Sequence, residues 1–239
     1  MSNIVYGGKN VYGYDIGVLM LDSHFPRIVG DVGNVKTWKF PVLYRTVHEK
    51  TPDKVVLHLS KEDIEPFIIA AKELEQQGVA AITTSCGFLS LFQKEITKEI
   101  NVPVFTSSLI MLPMISRMIG NDRKVLVLTA NSKTLTNNHL NAVCGNLEEC
   151  NFDIVGTQDK KTFTNFTVEN WDYVDVEQCE KDIIDVIEES ISKDKTYGAI
   201  LLECTNMPPY SNAIRKKFNL PVFDFISLTN FVHYSIFGN

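Results

Sequence analysis

With 239 residues, 44% of them hydrophobic and 22% charged, the chain has the make-up of a soluble globular protein with a substantial core. A net charge of −6 and a pI near 5.4 exclude the basic face that a nucleic-acid partner needs, and no apolar stretch approaches the roughly 18 residues of a membrane helix. The opening MSNIVYGGKN lacks the basic-then-apolar pattern of a signal peptide, and five cysteines without short-spaced pairs suit a reducing compartment, so a cytoplasmic location is expected.

In chain order, the first predicted strand is DIGVLML (15–21), ending at Asp22 and Ser23. A loop follows through His24, Arg27, Gly30 and Gly33 to Trp38, Phe40 and Pro41, placed either over a cleft or at an oligomer contact. KVVLHL (54–59) reads as a second strand leading into a helix over 60–77, with Ser60 and Asp63 as its cap. VAAITT (79–84) is a buried strand that delivers Thr84, Ser85, Cys86 and Gly87 to a turn. A helix with Leu89, Phe92, Ile96 and Ile100 at helical spacing comes next, then the strand NVPVF (101–105). The second half opens on KVLVLTA (124–130), with Thr129, Asn131 and Ser132 at its end. NFDIVG (151–156), a long loop and a helix near 176–192 lead to the strand GAILLE (198–203) and to Cys204, Thr205 and Asn206. A helix with Tyr210, Ile214 and Phe218 and the strand NLPVF (219–223) close the pattern.

The chain repeats itself. AITTSCGFLSLFQKEITKEINVPVF from Ala81 lies over AILLECTNMPPYSNAIRKKFNLPVF from Ala199 without a gap, at a constant offset of 118 residues. Cys86 then matches Cys204, Phe92 matches Tyr210, Ile96 matches Ile214, Asn101 matches Asn219, and Pro103-Val104-Phe105 matches Pro221-Val222-Phe223. Each copy is a strand–helix–strand unit with fully apolar strands, the mark of a parallel sheet covered on both faces. The expected fold is α/β: two doubly wound parallel-sheet lobes related by a pseudo-twofold axis, with a cleft between them. The lobes are placed at 1–115 and 116–239, the chain crossing between them near 110–120 and at its C-terminus. Ligands bind at the carboxyl ends of such strands, where both cysteines fall.

A lone cysteine is commonly a small buried hydrophobe. Equivalence within the repeat singles out Cys86 and Cys204, while Cys144, Cys150 and Cys179 lie outside it and read as structural. His48, His58, His139 and His233 read as surface or satisfied core residues. Arg27 suits a substrate carboxylate through its planar fork, and Arg45 less so. No C-x-x-C, H-E-x-x-H or glycine-rich phosphate loop occurs, so neither a metal nor a nucleotide cofactor is expected.

The motifs TTSCGF around Cys86 and LLECTNMPPYS around Cys204, with the leading segments IGVLMLDSHFPR and VLVLTANS, resemble the aspartate/glutamate/hydantoin racemase superfamily over essentially the whole chain. The resemblance implies two lobes that each deliver one cysteine, and proton transfer by Cys86 and Cys204 without a cofactor. It implies an isomerase, a racemase or epimerase of amino-acid metabolism that acts on a small amino acid or related carboxylate, with a homodimer left open. Substrate-binding groups are expected at Asp22, Ser23, Arg27, Thr84, Ser85, Gly87, Thr129, Asn131, Ser132, Thr205 and Asn206. Helix N-termini after the cysteines would lower the thiol pKa values. Two departures lead away from the glutamate branch: Asn206 stands where that branch has His, and Gly87-Phe88 where it has Asn-Thr. A maleate-isomerase-like or malonate-decarboxylase-like enzyme on the same scaffold, and a non-catalytic binder, stay open beside racemisation; retention of both cysteines argues against the one-cysteine decarboxylase.

Overall fold

The computed structural model describes residues 4–120 and 122–238; the first three residues of the N-terminal stretch and the last residue lie outside them. Two four-stranded parallel sheets form the frame. In the first lobe, β1 (Ile16–Leu21), β2 (Val42–Val47), β3 (Ala81–Thr84) and β4 (Val104–Phe105) take the order β2-β1-β3-β4. In the second, β5 (Lys124–Thr129), β6 (Phe152–Gly156), β7 (Tyr197–Leu202) and β8 (Val222–Phe223) take the order β6-β5-β7-β8. The two orders are identical, and the two-lobe α/β architecture expected from the repeat is present. β1, β3 and β7 are buried along their whole length, as strands covered on both faces must be.

One strand is misplaced by the sequence. KVVLHL is not a strand but most of helix α1 (Pro52–His58). Pro52 at its first position and Asp53 in its first turn favour a helix start, and Val55 and Val56 are its buried residues. The strand is instead VLYRTV, an edge strand whose half-exposed residues include Arg45, which weakens its apolar signal. Helix α2 (Glu65–Gln77) starts later than expected: the capping box of Ser60 and Asp63 closes a short 3-10 turn at 61–63. Phe67, Ala70, Ala71 and Leu74 form its buried stripe, and Gly78 at φ +85° ends it.

Helix α3 (Gln93–Glu99) follows a 3-10 turn at 87–92, and α4 (Leu112–Ile119) leaves the first lobe to pack on β5 and β7. In the second lobe, α5 (Asn137–Cys144) packs on the 87–92 turn, α6 (Lys161–Thr167) pairs with α7 (Val176–Lys193), and α8 (Ser211–Phe218) precedes β8. The last helix, α9 (Phe225–Phe237), returns to pack near β3. One main hydrophobic core therefore runs through both lobes.

The Trp38 end of the loop after β1 packs away from the cleft. Val32 and Trp38 join Val18, Met20 and Phe225 in a second, smaller core, with Trp38 Nε1 donating to Tyr44 Oη at 2.9 Å. His233 is buried against Asp15 at 2.8 Å and stacked on Phe40. Among the described residues no helix is long and apolar enough to cross a membrane.

Candidate active site

Each lobe ends a central strand two residues before its cysteine. Ser85 N–H donates to Leu19 O at 2.9 Å and Glu203 N–H to Leu128 O at 2.8 Å, so both chains stay in sheet register up to the thiol. Cys86 and Cys204 are buried, and they line one cavity between the lobes with Leu21, Phe25, Arg27 and Phe88. Pro52 and Val56 of α1 close it on one side, and Thr167 and Val168 at the end of α6 on the other. The loop after β1 is tied across: the N–H groups of His24 and Phe25 donate to Asn170 Oδ1 at 2.9 and 3.2 Å. The cavity volume is about 20 Å³, room for roughly one water.

The packing between the lobes is reciprocal. Thr205, the residue after Cys204, donates its hydroxyl to Ser85 O at 2.5 Å, the residue before Cys86. Gly87, the residue after Cys86, presses on Glu203, the residue before Cys204: a Cβ there would lie 2.5 Å from Glu203 O and collide with Oε1. Glycine is required at 87 because the other lobe's carboxyl fills the space.

The two thiols sit in unlike surroundings. Burial pushes the Cys86 thiol up and the nearby Glu203 adds to this, while the Phe88 N–H and the Arg27 guanidinium pull the other way. Burial also pushes Cys204 up, aided by Glu203, Cys86 and Asp31 against the Asn206 N–H. The Cys204 thiol donates to Asn206 Oδ1 at 3.6 Å. Asn206 Nδ2 donates to Asp31 Oδ2 at 2.6 Å, and Asp31 Oδ1 accepts from Arg27 at 2.8 Å and from Gly33 N–H at 2.7 Å. Arg27 also donates to Ser23 Oγ at 2.8 Å. The expectation that helix N-termini lower the thiol pKa values is corrected: a single N–H reaches each sulfur, and desolvation outweighs it.

Of the residues singled out in the sequence, Arg27, Ser85, Gly87, Thr205 and Asn206 line the cavity with the cysteines. The others are outside the lining. Asp22 accepts from Glu49 N–H at 2.9 Å, and Ser23 holds Arg27. Thr84 accepts from Cys86 N–H at 3.3 Å and donates to Thr106 O at 2.7 Å, propping the turn from behind. Thr129 donates to Glu203 Oε2 at 2.7 Å. Asn131 caps Lys133 N–H at 2.9 Å and Ser132 N–H donates to Gln158 at 3.1 Å, so both build their own loop. Arg45 is away from the cavity, paired with Glu73.

Sequence reasoning passed over Phe25, Asp31, Phe88 and Glu203. Glu203 is fully buried, its Oε1 has no hydrogen-bond partner, and burial pushes its carboxyl up to about 7 in spite of the Thr129 bond. The signal was present: a carboxylate at the end of an apolar strand, at the repeat position of Ser85. Among the described residues no cluster of three His, Cys, Asp or Glu side chains is placed to hold a metal ion.

No protein-family model matches the chain. It is 33% identical over 227 residues to a dimethylsulfoniopropionate lyase of Durusdinium sp. clade D, which covers 93% of this chain and 75% of the relative. It is 34% identical over 232 residues to dimethylsulfoniopropionate lyase 3 of Emiliania huxleyi (strain CCMP1516), covering 94% of this chain and 60% of the relative. The chain thus spans about 60% of the length of that relative. Among solved structures, glutamate racemase isoform RacE1 of Bacillus anthracis superposes with a TM-score of 0.63 at 15% identity, covering 94% of this chain and 82% of that one. An arylmalonate decarboxylase mutant superposes with a TM-score of 0.60 at 15% identity, covering 94% of both chains. The racemase resemblance therefore holds for the fold. The expectation of an isomerase of amino-acid metabolism is overturned by the sequence relatives, which are lyases.

Proposed function

The chain belongs to the dimethylsulfoniopropionate lyase family, and on that premise we propose that it eliminates a neutral sulfide from a short carboxylate bearing a sulfonium group, dimethylsulfoniopropionate being the first candidate. The carbon next to the carboxylate carries the acidic proton and the next carbon carries the sulfonium. A thiolate takes the proton, the C–H electron pair becomes the new C=C bond, and the C–S pair leaves with sulfur. The products are dimethyl sulfide, acrylate and one proton, which the thiol later returns to solvent.

The observation that carries this reading is the inequality of the two thiols. Racemisation needs a base on one face and an acid on the other. Elimination of a neutral sulfide needs one base and no proton donor. Cys86, with the Phe88 N–H and the Arg27 charge beside it, is the thiol better placed to become that base. Cys204 donates to Asn206 and has Asp31 behind it, so it is held as a thiol. Phe88 and Phe25 give the cavity aromatic walls, which favour a sulfonium cation.

The test is release of dimethyl sulfide, measured in the headspace over the purified chain and dimethylsulfoniopropionate, beside deuterium exchange at the α-carbon of amino acids. Sulfide release without amino-acid exchange is expected. Amino-acid exchange without sulfide release would overturn the reading.

A further inference from the structure

Glu203 is a carboxyl group placed where an ionised carboxylate has no cation to meet. It is fully buried and lines the cavity beside both thiols. Oε2 accepts the Thr129 hydroxyl at 2.7 Å, while Oε1 has no partner and lies against the open side of Gly87. Arg27, the cation on the same cavity, is already committed to Asp31 and Ser23. The remaining titratable groups around Glu203 are Cys86 on the facing turn, Cys204 beside it in sequence, and Asp31 beyond Asn206; His139 on α5 lies behind Phe88. None of these neutralises a negative charge on Glu203. With Thr129 donating to Oε2, the acid proton belongs on Oε1, the oxygen that lacks a partner.

We propose that Glu203 is a further substrate-binding residue, whose protonated carboxyl donates a hydrogen bond from Oε1 to the carboxylate of the substrate. The assignment rests on the carboxylate substrate proposed above. Negative charge gathers on that carboxylate as the α-proton leaves, and a neutral acid stabilises it where a second carboxylate would repel it. The buried carboxyl, pushed up to about 7, is about half protonated at neutral pH, and an incoming carboxylate raises it further. Cys86 then acts beside a neutral neighbour, so the Glu203 carboxyl no longer opposes its thiolate.

The experiment compares iodoacetate with iodoacetamide as alkylating agents of Cys86 and Cys204, located by peptide mass spectrometry, in the wild type and in Glu203→Gln. Both reagents consume the same thiolate, so their rate ratio cancels thiol ionisation and isolates recognition of the reagent's carboxylate. In the wild type the ratio is expected to be flat at low pH and to fall by up to about tenfold per pH unit once Glu203 ionises. In Glu203→Gln, whose amide keeps a neutral donor, it is expected to stay within about threefold of the acid plateau. Thr129→Val, which removes the donor to Oε2, is expected to move the wild-type fall to higher pH. A flat ratio in the wild type, the same fall in wild type and Glu203→Gln, or no iodoacetate labelling of either thiol overturns the proposal. The assay needs no turnover: a wild type that shows this ratio yet releases no sulfide would refute the proposed reaction and leave the carboxylate site standing.

Discussion

The two lobes share a strand order and place a cysteine at the same turn, yet they treat that cysteine differently. In the first lobe the turn is Ser85-Cys86-Gly87, small and uncharged, and the Arg27 charge reaches its thiol. In the second it is Glu203-Cys204-Thr205, followed by an asparagine that ties the thiol to a buried aspartate. Duplicated scaffolds thus keep the backbone that presents a reactive group while the neighbours give each copy its own electrostatic surroundings. A symmetric fold carries an asymmetric site, which suits a one-base elimination better than a two-base exchange.

The largest expected effect comes from unequal cysteine substitutions. Cys86→Ser should lower sulfide release by about a thousandfold or more, and Cys204→Ser by at least tenfold less than that, because only the former removes the base. Equal losses would break the comparison. Next is the reciprocal packing. Gly87→Ala drives a methyl group into Glu203 and should destabilise the fold by about 3 kcal/mol in urea denaturation, whereas Thr205→Ala, its repeat partner, gives up one hydrogen bond worth about 1 kcal/mol.

The backing of the Cys86 turn supplies a pH test. His139 packs edge-on against Phe88, and burial pushes its pKa down to about 4 from an ordinary value near 6.5. The unfolded chain therefore binds the proton more readily. The stability is fully present above about 6.5 and is lost as pH falls towards 4, by up to about 3 kcal/mol. His139→Gln should flatten the melting temperature over that window. Smallest is Asp31→Asn: with the negative charge behind Asn206 gone, iodoacetamide should label Cys204 a few-fold faster and narrow its gap to Cys86.

The parts legible in the sequence are those that repeat locally. A gapless register of apolar strand, cysteine, helix and Asn-x-Pro picked out two thiols from five and gave the two-lobe fold. Edge strand β2 was not legible because Val47 is its one fully buried residue, so its pattern is weaker than that of the valines in α1. The chemistry was less legible still. Arg27 and Asp31 approach the cysteines from a loop distant in sequence, and nothing local says which thiol each one faces. Glu203 stood in plain view beside Cys204, but its neutral state depends on Thr129, Gly87 and complete burial, which only the assembled lobes supply. Lyase and racemase alike call for a base near a carboxylate, so the motifs named the scaffold and left the reaction to the neighbours.

Burial of the thiols has a further consequence if the reaction is the proposed elimination, whose product is an unsaturated acid. Acrylate is an electrophile, and a free thiolate beside it would add to the double bond and end in a dead covalent adduct. Buried thiols pushed above their ordinary range would spend the interval between turnovers protonated and unreactive. In the proposed elimination, the same desolvation that makes the base scarce would protect the thiols from alkylation by acrylate.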